Sequence, residues 1–200
     1  MTAVACSELI LGGQKSGKSR RAELLARQWL GQSSAHRAVL IATGQAGDAE
    51  MAARIARHQQ DRAARVPGLW TVQEPRDLAG ALVRASSPQA LVVVDCLTLW
   101  LTNWLMPHQT PSLSGGEGVK PAKAQDWPAQ AALFLEALQH AGGPVVLVGN
   151  EIGLGVVPLG REVRAFVDTL GRLNQDMAAA CARVTLMCAG LPLTLKDDDA

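Results

Sequence analysis

The sequence predicts an α/β fold built on a mainly parallel sheet with helices on both faces. Three observations carry that prediction. Short β-branched apolar runs alternate with longer segments whose apolar residues recur at helical spacing. One run, "ALVVVDC" at 90–96, is continuously apolar, as suits a central parallel strand covered on both sides. A Gly-rich turn, "GGQKSGKS", stands between the first apolar run and the first helical segment.

"ELILGG" (8–13) reads as a buried strand, and "KSRRAELLARQWL" (18–30) as a helix with Leu24, Leu25 and Trp29 at helical spacing. "AVLIAT" (38–43) is a second strand. The helix expected over 48–66 opens at Asp48 as N-cap and has an acidic first turn. "WTVQE" (70–74) is a third strand and "RDLAGALVRA" (76–85) a short helix. After the 90–96 strand, "LTLWLTNWLM" (97–106) reads as a core helix, its apolar residues spaced for ordinary packing. "PVVLVGN" (144–150) is a buried strand, 161–182 a long helix, and 183–190 and 191–196 two closing strands. Right-handed crossovers place the helices on both faces. Residues 107–127, "PHQTPSLSGGEGVKPAKAQDW", break the alternation and read as a surface insertion.

Two hundred residues, 48% hydrophobic and 18% charged, suit one domain with a sizeable core rather than a disordered chain. The expectation is a single domain over 1–200. A net charge of +1 offers no basic surplus for nucleic acid, and no apolar run is long enough to span a bilayer. Cys6, Cys96, Cys181 and Cys188 form no C-x-x-C pair and read as reduced thiols. No signal-peptide pattern is visible, so a cytoplasmic protein is expected.

Gly12, Gly13, Gln14, Lys15, Ser16, Gly17, Lys18 and Ser19 match G-x-x-x-x-G-K-[ST] between a strand and a helix. Glycines let backbone N–H groups turn toward phosphate oxygens, and the helix N-terminus adds its dipole. Lys18 can reach the β and γ phosphates, and Ser19 can offer its hydroxyl to Mg²⁺. Asp95, ending "VVVD", stands at the end of a second parallel strand, where a carboxylate partner for that ion is expected, and it could also cap the following helix. The motif therefore implies a nucleoside triphosphate with Mg²⁺ and leaves the reaction open. Asn150 and Glu151 end another strand at the same sheet edge, positioned to orient metal, water or substrate or simply to close a turn.

Five segments, in order, resemble the bifunctional adenosylcobinamide kinase / adenosylcobinamide-phosphate guanylyltransferase family. They are "GGQKSGKSRRAE", with Lys15 where Arg is usual, "IATGQAGDAEMAARIARHQQDR", "WTVQEP", "VVVDCLTLWLTNWL" and the long block from "VGNEIGLG" to "LPLTLK". The resemblance runs from about 8 to 196 apart from the insertion. It implies a RecA-like P-loop domain, a homotrimer and two reactions. ATP or GTP phosphorylates adenosylcobinamide, and then GMP passes from GTP through a histidine to adenosylcobinamide phosphate.

That histidine falls on His58, in "MAARIARH". Residue chemistry alone leaves His58 a solvated helix histidine among Arg54, Arg57 and Arg62; the resemblance makes it the nucleophile. A neutral imidazole suits that role. Arg54 and Arg57, one turn apart, bring positive charge suited to a triphosphate. Further nucleotide contacts carry over to Ala42, Thr43 and Gly44, to Gln59, Gln60, Asp61 and Arg62, to Glu74 and to Asp95. A kinase without the transferase would not need His58, and a nucleotide-binding regulator would not depend on a corrinoid.

Overall fold

The computed structural model describes residues 3–46, 49–106 and 126–198; the side chains of Met51, Arg54 and His58 lie outside the described set, as do residues 107–125 and Asp48. The chain runs β1 (Ser7–Gly12), α1 (Lys18–Leu30), β2 (Arg37–Ala42), α2 (Ala49–Arg65), β3 (Leu69–Gln73), α3 (Leu78–Ala85), β4 (Ala90–Asp95), α4 (Leu97–Leu105), α5 (Trp127–Gln139), β5 (Val145–Val148), α6 (Arg161–Ala180), β6 (Arg183–Cys188) and β7 (Leu191–Asp197). One sheet collects the strands in the order β3-β2-β4-β5-β1-β6-β7. All neighbours are parallel except β7, which turns back antiparallel on β6.

Alternation along each strand divides the core in two. Leu9, Leu11, Val92, Val94, Val145 and Leu147 face one layer, where Leu82, Trp100, Phe134 and Leu173 of α3 to α6 cover them. Ile10, Leu91, Val93, Val146 and Val148 face the other, against Ala22, Leu25 and Ala26 of α1. Strand β5 and the first five residues of β4 are therefore apolar at every position, which is why they read as unbroken runs. Each fully buried Val or Leu contributes about 1.5–3 kcal/mol.

Two sequence expectations need correction. The insertion does not extend through 127, because Trp127 opens α5 and its ring packs edge-on against Trp100 at 4.7 Å. Helix α5 itself had no counterpart in the sequence reading, although Pro128 at its start and buried Phe134 and Leu138 on one face are helix signals. Other boundaries move by small amounts for local reasons. The helix read over 76–85 begins at Leu78 because the Asp77 carboxylate accepts from Gly80 N–H as N-cap. Trp100 and Leu101 are buried, so α4 is the core helix expected. The four cysteines are free, Cys96 and Cys181 buried, Cys6 and Cys188 exposed.

Candidate active site

β1 ends at Gly12, where the chain must turn under two neighbours. A Cβ there would lie 2.5 Å from Met187 O and 2.6 Å from Ser16 Oγ, and φ is +151°. Only glycine fits. Gly17, with φ +101°, then caps α1, and its position would bring a side chain against Gly190. Between them Gly13, Gln14 and Lys15 are exposed, while Ser16 is buried and its Oγ has no hydrogen-bond partner. A buried hydroxyl without a partner, in a glycine-rich loop at a helix N-terminus, suits an anion as its partner.

Lys18 is folded back into this loop, Nζ donating to Gly13 O at 2.6 Å. Burial lowers its pKa, and the Cys96 sulfur and Asp95 carboxylate act in the opposite direction. Burial also pushes the Cys96 thiol up to about 11, so at neutral pH it is uncharged, and the Asp95 carboxylate is the charge that opposes the lowering of Lys18. The ammonium is thus poorly solvated, held by the Gly13 carbonyl and within the field of a carboxylate.

The C-terminal edge of the sheet gathers most of the remaining sequence candidates. Ala42 pairs with Asp95 across β2 and β4, and Glu74 N donates to Ala42 O. Thr43 is fully buried: its hydroxyl donates to Cys96 O at 2.7 Å and accepts from Cys96 N–H at 2.9 Å. Its side chain therefore ties β2 to β4, leaving Ala42 and Gly44 as the more open positions. Asn103 holds the same turn, donating to Thr43 O and Pro75 O. Glu74 turns its carboxylate onto the N–H groups of Arg76 and Asp77, ordering the entry to α3. Asp95 ends β4 without capping α4, whose N-cap is Cys96 with no side-chain bond.

The P-loop also touches the end of β5. Glu151 N–H donates to Gly12 O at 3.1 Å, and Asn150 N–H to Thr98 Oγ1 at 2.9 Å. The buried Asn174 of α6 donates to Asn150 O at 3.1 Å and lies 3.5 Å from Glu151 Oε2. Thr98, Asn103 and Asn174 are site-building residues that sequence reasoning did not single out. Their signal was a polar residue on the apolar face of a helix.

The 59–62 stretch behaves differently. Gln59, Gln60 and Asp61 are exposed on α2, with Asp61 paired to Arg65. Arg62 is buried, 3.8 Å from Glu23 of α1 and bonded to Thr71 of β3, so it fastens α2 to the domain. His58 belongs to the same helix, and its side chain, like that of Arg54, lies outside the described residues. Arg57 is exposed. Ile55 of α2 approaches Gly44, so the helix starts near the sheet edge that carries the P-loop.

Ser19, half-buried in the first turn of α1, and Asp95 offer a hydroxyl and a carboxylate. A hydroxyl and a carboxylate are hard oxygen donors of the kind that would suit Mg²⁺. Among the described residues no group of three or more His, Cys, Asp or Glu could hold a metal by itself. No helix among them is long and apolar enough to cross a membrane.

A family model described as cobinamide kinase / cobinamide phosphate guanyltransferase matches residues 8–195. A bifunctional adenosylcobalamin biosynthesis protein of Pseudomonas aeruginosa, CobP, is 44% identical over 192 residues, covering 96% of this chain and 98% of its own. The bifunctional adenosylcobalamin biosynthesis protein CobU of Escherichia coli is 38% identical, over 94% of this chain and 98% of its own. Among solved structures, the flagellar accessory protein FlaH of Methanocaldococcus jannaschii superposes with a TM-score of 0.48 at 10% identity, over 96% of this chain and 78% of that one. The expected P-loop α/β fold and the expected enzyme class both hold, and the chain belongs to the cobinamide kinase / cobinamide phosphate guanyltransferase family.

Proposed function

We propose that this enzyme carries out both reactions, using one phosphate loop and a histidine nucleophile. In the first, the aminopropanol hydroxyl of adenosylcobinamide attacks the γ-phosphorus of ATP or GTP, and the nucleoside diphosphate leaves. The observation that carries this half is Lys18 Nζ inside the Gly12–Ser19 loop, 2.6 Å from Gly13 O and under the influence of Asp95. That ammonium and the loop N–H groups stabilise charge on the β and γ oxygens as it shifts during transfer. Ser19 and Asp95 would hold Mg²⁺, which when bound neutralises phosphate charge.

In the second reaction, an imidazole nitrogen of His58 attacks the α-phosphorus of GTP. A phosphoramidate bond forms, the bond to the β-phosphate oxygen breaks, and pyrophosphate leaves. A phosphate oxygen of adenosylcobinamide phosphate then displaces the histidine, giving adenosylcobinamide-GDP. A histidine with the ordinary pKa of about 6.5 is mostly neutral at cellular pH and so nucleophilic. Splitting the transfer into two displacements needs a covalent carrier, and the match of the whole chain to bifunctional relatives supports His58 in that role. Nucleotide contacts at Ala42, Thr43, Gly44 and Glu74 are read as backbone or positioning contacts. The enzyme is read as a cytoplasmic homotrimer acting within a single domain, the resemblance supplying the oligomeric state.

The test is product analysis by mass spectrometry after incubation with adenosylcobinamide, Mg²⁺ and either triphosphate. Adenosylcobinamide-GDP is expected with GTP, and adenosylcobinamide phosphate alone with ATP. Adenosylcobinamide phosphate as the final product with GTP would leave a kinase without the transferase.

A further inference from the structure

A cavity of about 500 Å³ lies between the segment after β5 and helix α6, open on its solvent side. Ile152, Val156, Val157 and Val167 give it an apolar wall; Asp168, Arg172 and Gln175 give it a polar one. Its floor is Gly171. This glycine sits inside α6, and a Cβ there would meet nothing within 4 Å. A helix-interior glycine costs about 1 kcal/mol relative to alanine. Neither backbone strain nor crowding within the fold asks for it, so the bare backbone leaves room for something outside the fold.

The wall is costly in the same sense. Val156 and Val157, 96% and 73% exposed, present apolar surface to solvent beside the cavity. The segment is nonetheless anchored, because Arg164 of α6 donates to Pro158 O and Leu159 O. At its other end, Gly153 N–H donates to Glu151 Oε1 at 2.9 Å, while Glu151 N–H holds Gly12 O. Glu151 therefore links the cavity to the phosphate loop, its carboxylate on Gly153 and its backbone N–H on Gly12. Behind it, the buried Oδ1 of Asn174 has no partner.

Building on the acceptor assigned above, we propose that this cavity receives one face of the corrinoid ring, with the aminopropanol arm running past Glu151 to the γ-phosphate. The apolar wall and the Gly171 floor take the ring, and Asp168, Arg172 and Gln175 take its peripheral amides. Glu151 accepts the hydroxyl proton as the new O–P bond forms and the bond from the γ-phosphorus to the β–γ bridging oxygen breaks, its electron pair leaving on the diphosphate.

Two variants test this. Gly171→Leu fills the floor without a clash, and its urea midpoint should equal or exceed wild type. Its KM for adenosylcobinamide should rise about tenfold or more while the Kd for a fluorescent GTP analogue stays the same. Glu151→Gln should lower kcat of the kinase step on the order of 10² to 10⁴-fold with little change in that KM. A folded Gly171→Leu with wild-type KM overturns the placement of the ring, and Glu151→Gln with wild-type kcat overturns the proton acceptor. Wild type that neither binds adenosylcobinamide by calorimetry nor phosphorylates it overturns the acceptor assignment, and this inference with it.

Discussion

The N–H of Glu151 donates to the carbonyl oxygen of Gly12 across 3.1 Å, joining the first glycine of the phosphate loop to the residue that follows β5. Glu151 Oε1 in turn accepts from Gly153, on the wall of the cavity. Nucleotide loop and acceptor cavity thus share one short stretch of backbone.

Gly12→Ala should break the loop at its root. The added methyl would lie 2.5 Å from Met187 O and 2.6 Å from Ser16 Oγ, in a backbone conformation alanine avoids. We expect a loss of about 1–3 kcal/mol in stability and a fall of at least about tenfold in GTP affinity, read by urea unfolding and by titration of a fluorescent analogue. Wild-type affinity in this variant would contradict the loop geometry.

Lys18→Met should separate binding from stability. Burial lowers the Lys18 pKa from its ordinary 10.5, so between the folded value and 10.5 the unfolded chain holds more protons and stability rises with pH. The desolvation cost is therefore fully present at neutral pH and fades toward pH 10.5. In the absence of nucleotide, Lys18→Met should be more stable relative to wild type at pH 7 than at pH 10, while GTP binding is lost at both. Urea midpoints at the two pH values decide it; a difference independent of pH would contradict the assigned cause.

Arg183→Met should do the reverse. Arg183 begins β6, at the edge of the sheet opposite the P-loop, and is buried with two contacts to Asp197 at 3.0 and 3.1 Å and one to Ala3 O at 2.8 Å. Glu8 Oε2 lies 3.9 Å away. Removing one member of a buried ionic network costs about 3–5 kcal/mol. The urea midpoint should drop accordingly, with the GTP-analogue Kd unchanged in the folded protein.

Thiol reactivity should divide the cysteines in pairs. Cys6 and Cys188 are exposed, whereas burial pushes Cys96 up to about 11 and Cys181 up to about 12. At pH 8 a thiol of pKa 11 is roughly one part in a thousand thiolate. A disulfide reagent should modify two thiols quickly in the native enzyme and four after denaturation.

Much of this was legible in the sequence because local rules and tertiary structure agree. Lys18–Leu30 is a helix in both, since Gly17 and the apolar spacing fix its ends. "ALVVVD" is a buried strand in both, since layers cover it on each side. Helix α5 escaped because it follows a stretch dominated by Pro, Gly and Ser, and because the burial of Trp127 depends on Trp100, 27 positions earlier. At the site, the motif residues could be read from their pattern. Thr43 and Arg62 could not be sorted that way: what decides their roles is a Cys96 peptide and a Glu23 carboxylate supplied by other elements. Gly171 was equally silent, because a glycine's purpose shows only in the space beside it.

The most direct test of the account is transfer of label from GTP carrying radioactive α-phosphorus to the enzyme itself. Purified wild type and His58→Ala are incubated with Mg²⁺ and the labelled GTP, denatured and washed in acid or alkali. A guanylyl-histidine intermediate on His58 predicts an acid-labile, alkali-stable adduct on wild type that is missing from His58→Ala, although the variant still binds GTP. Label persisting in His58→Ala, or absent from wild type that binds GTP, would contradict it.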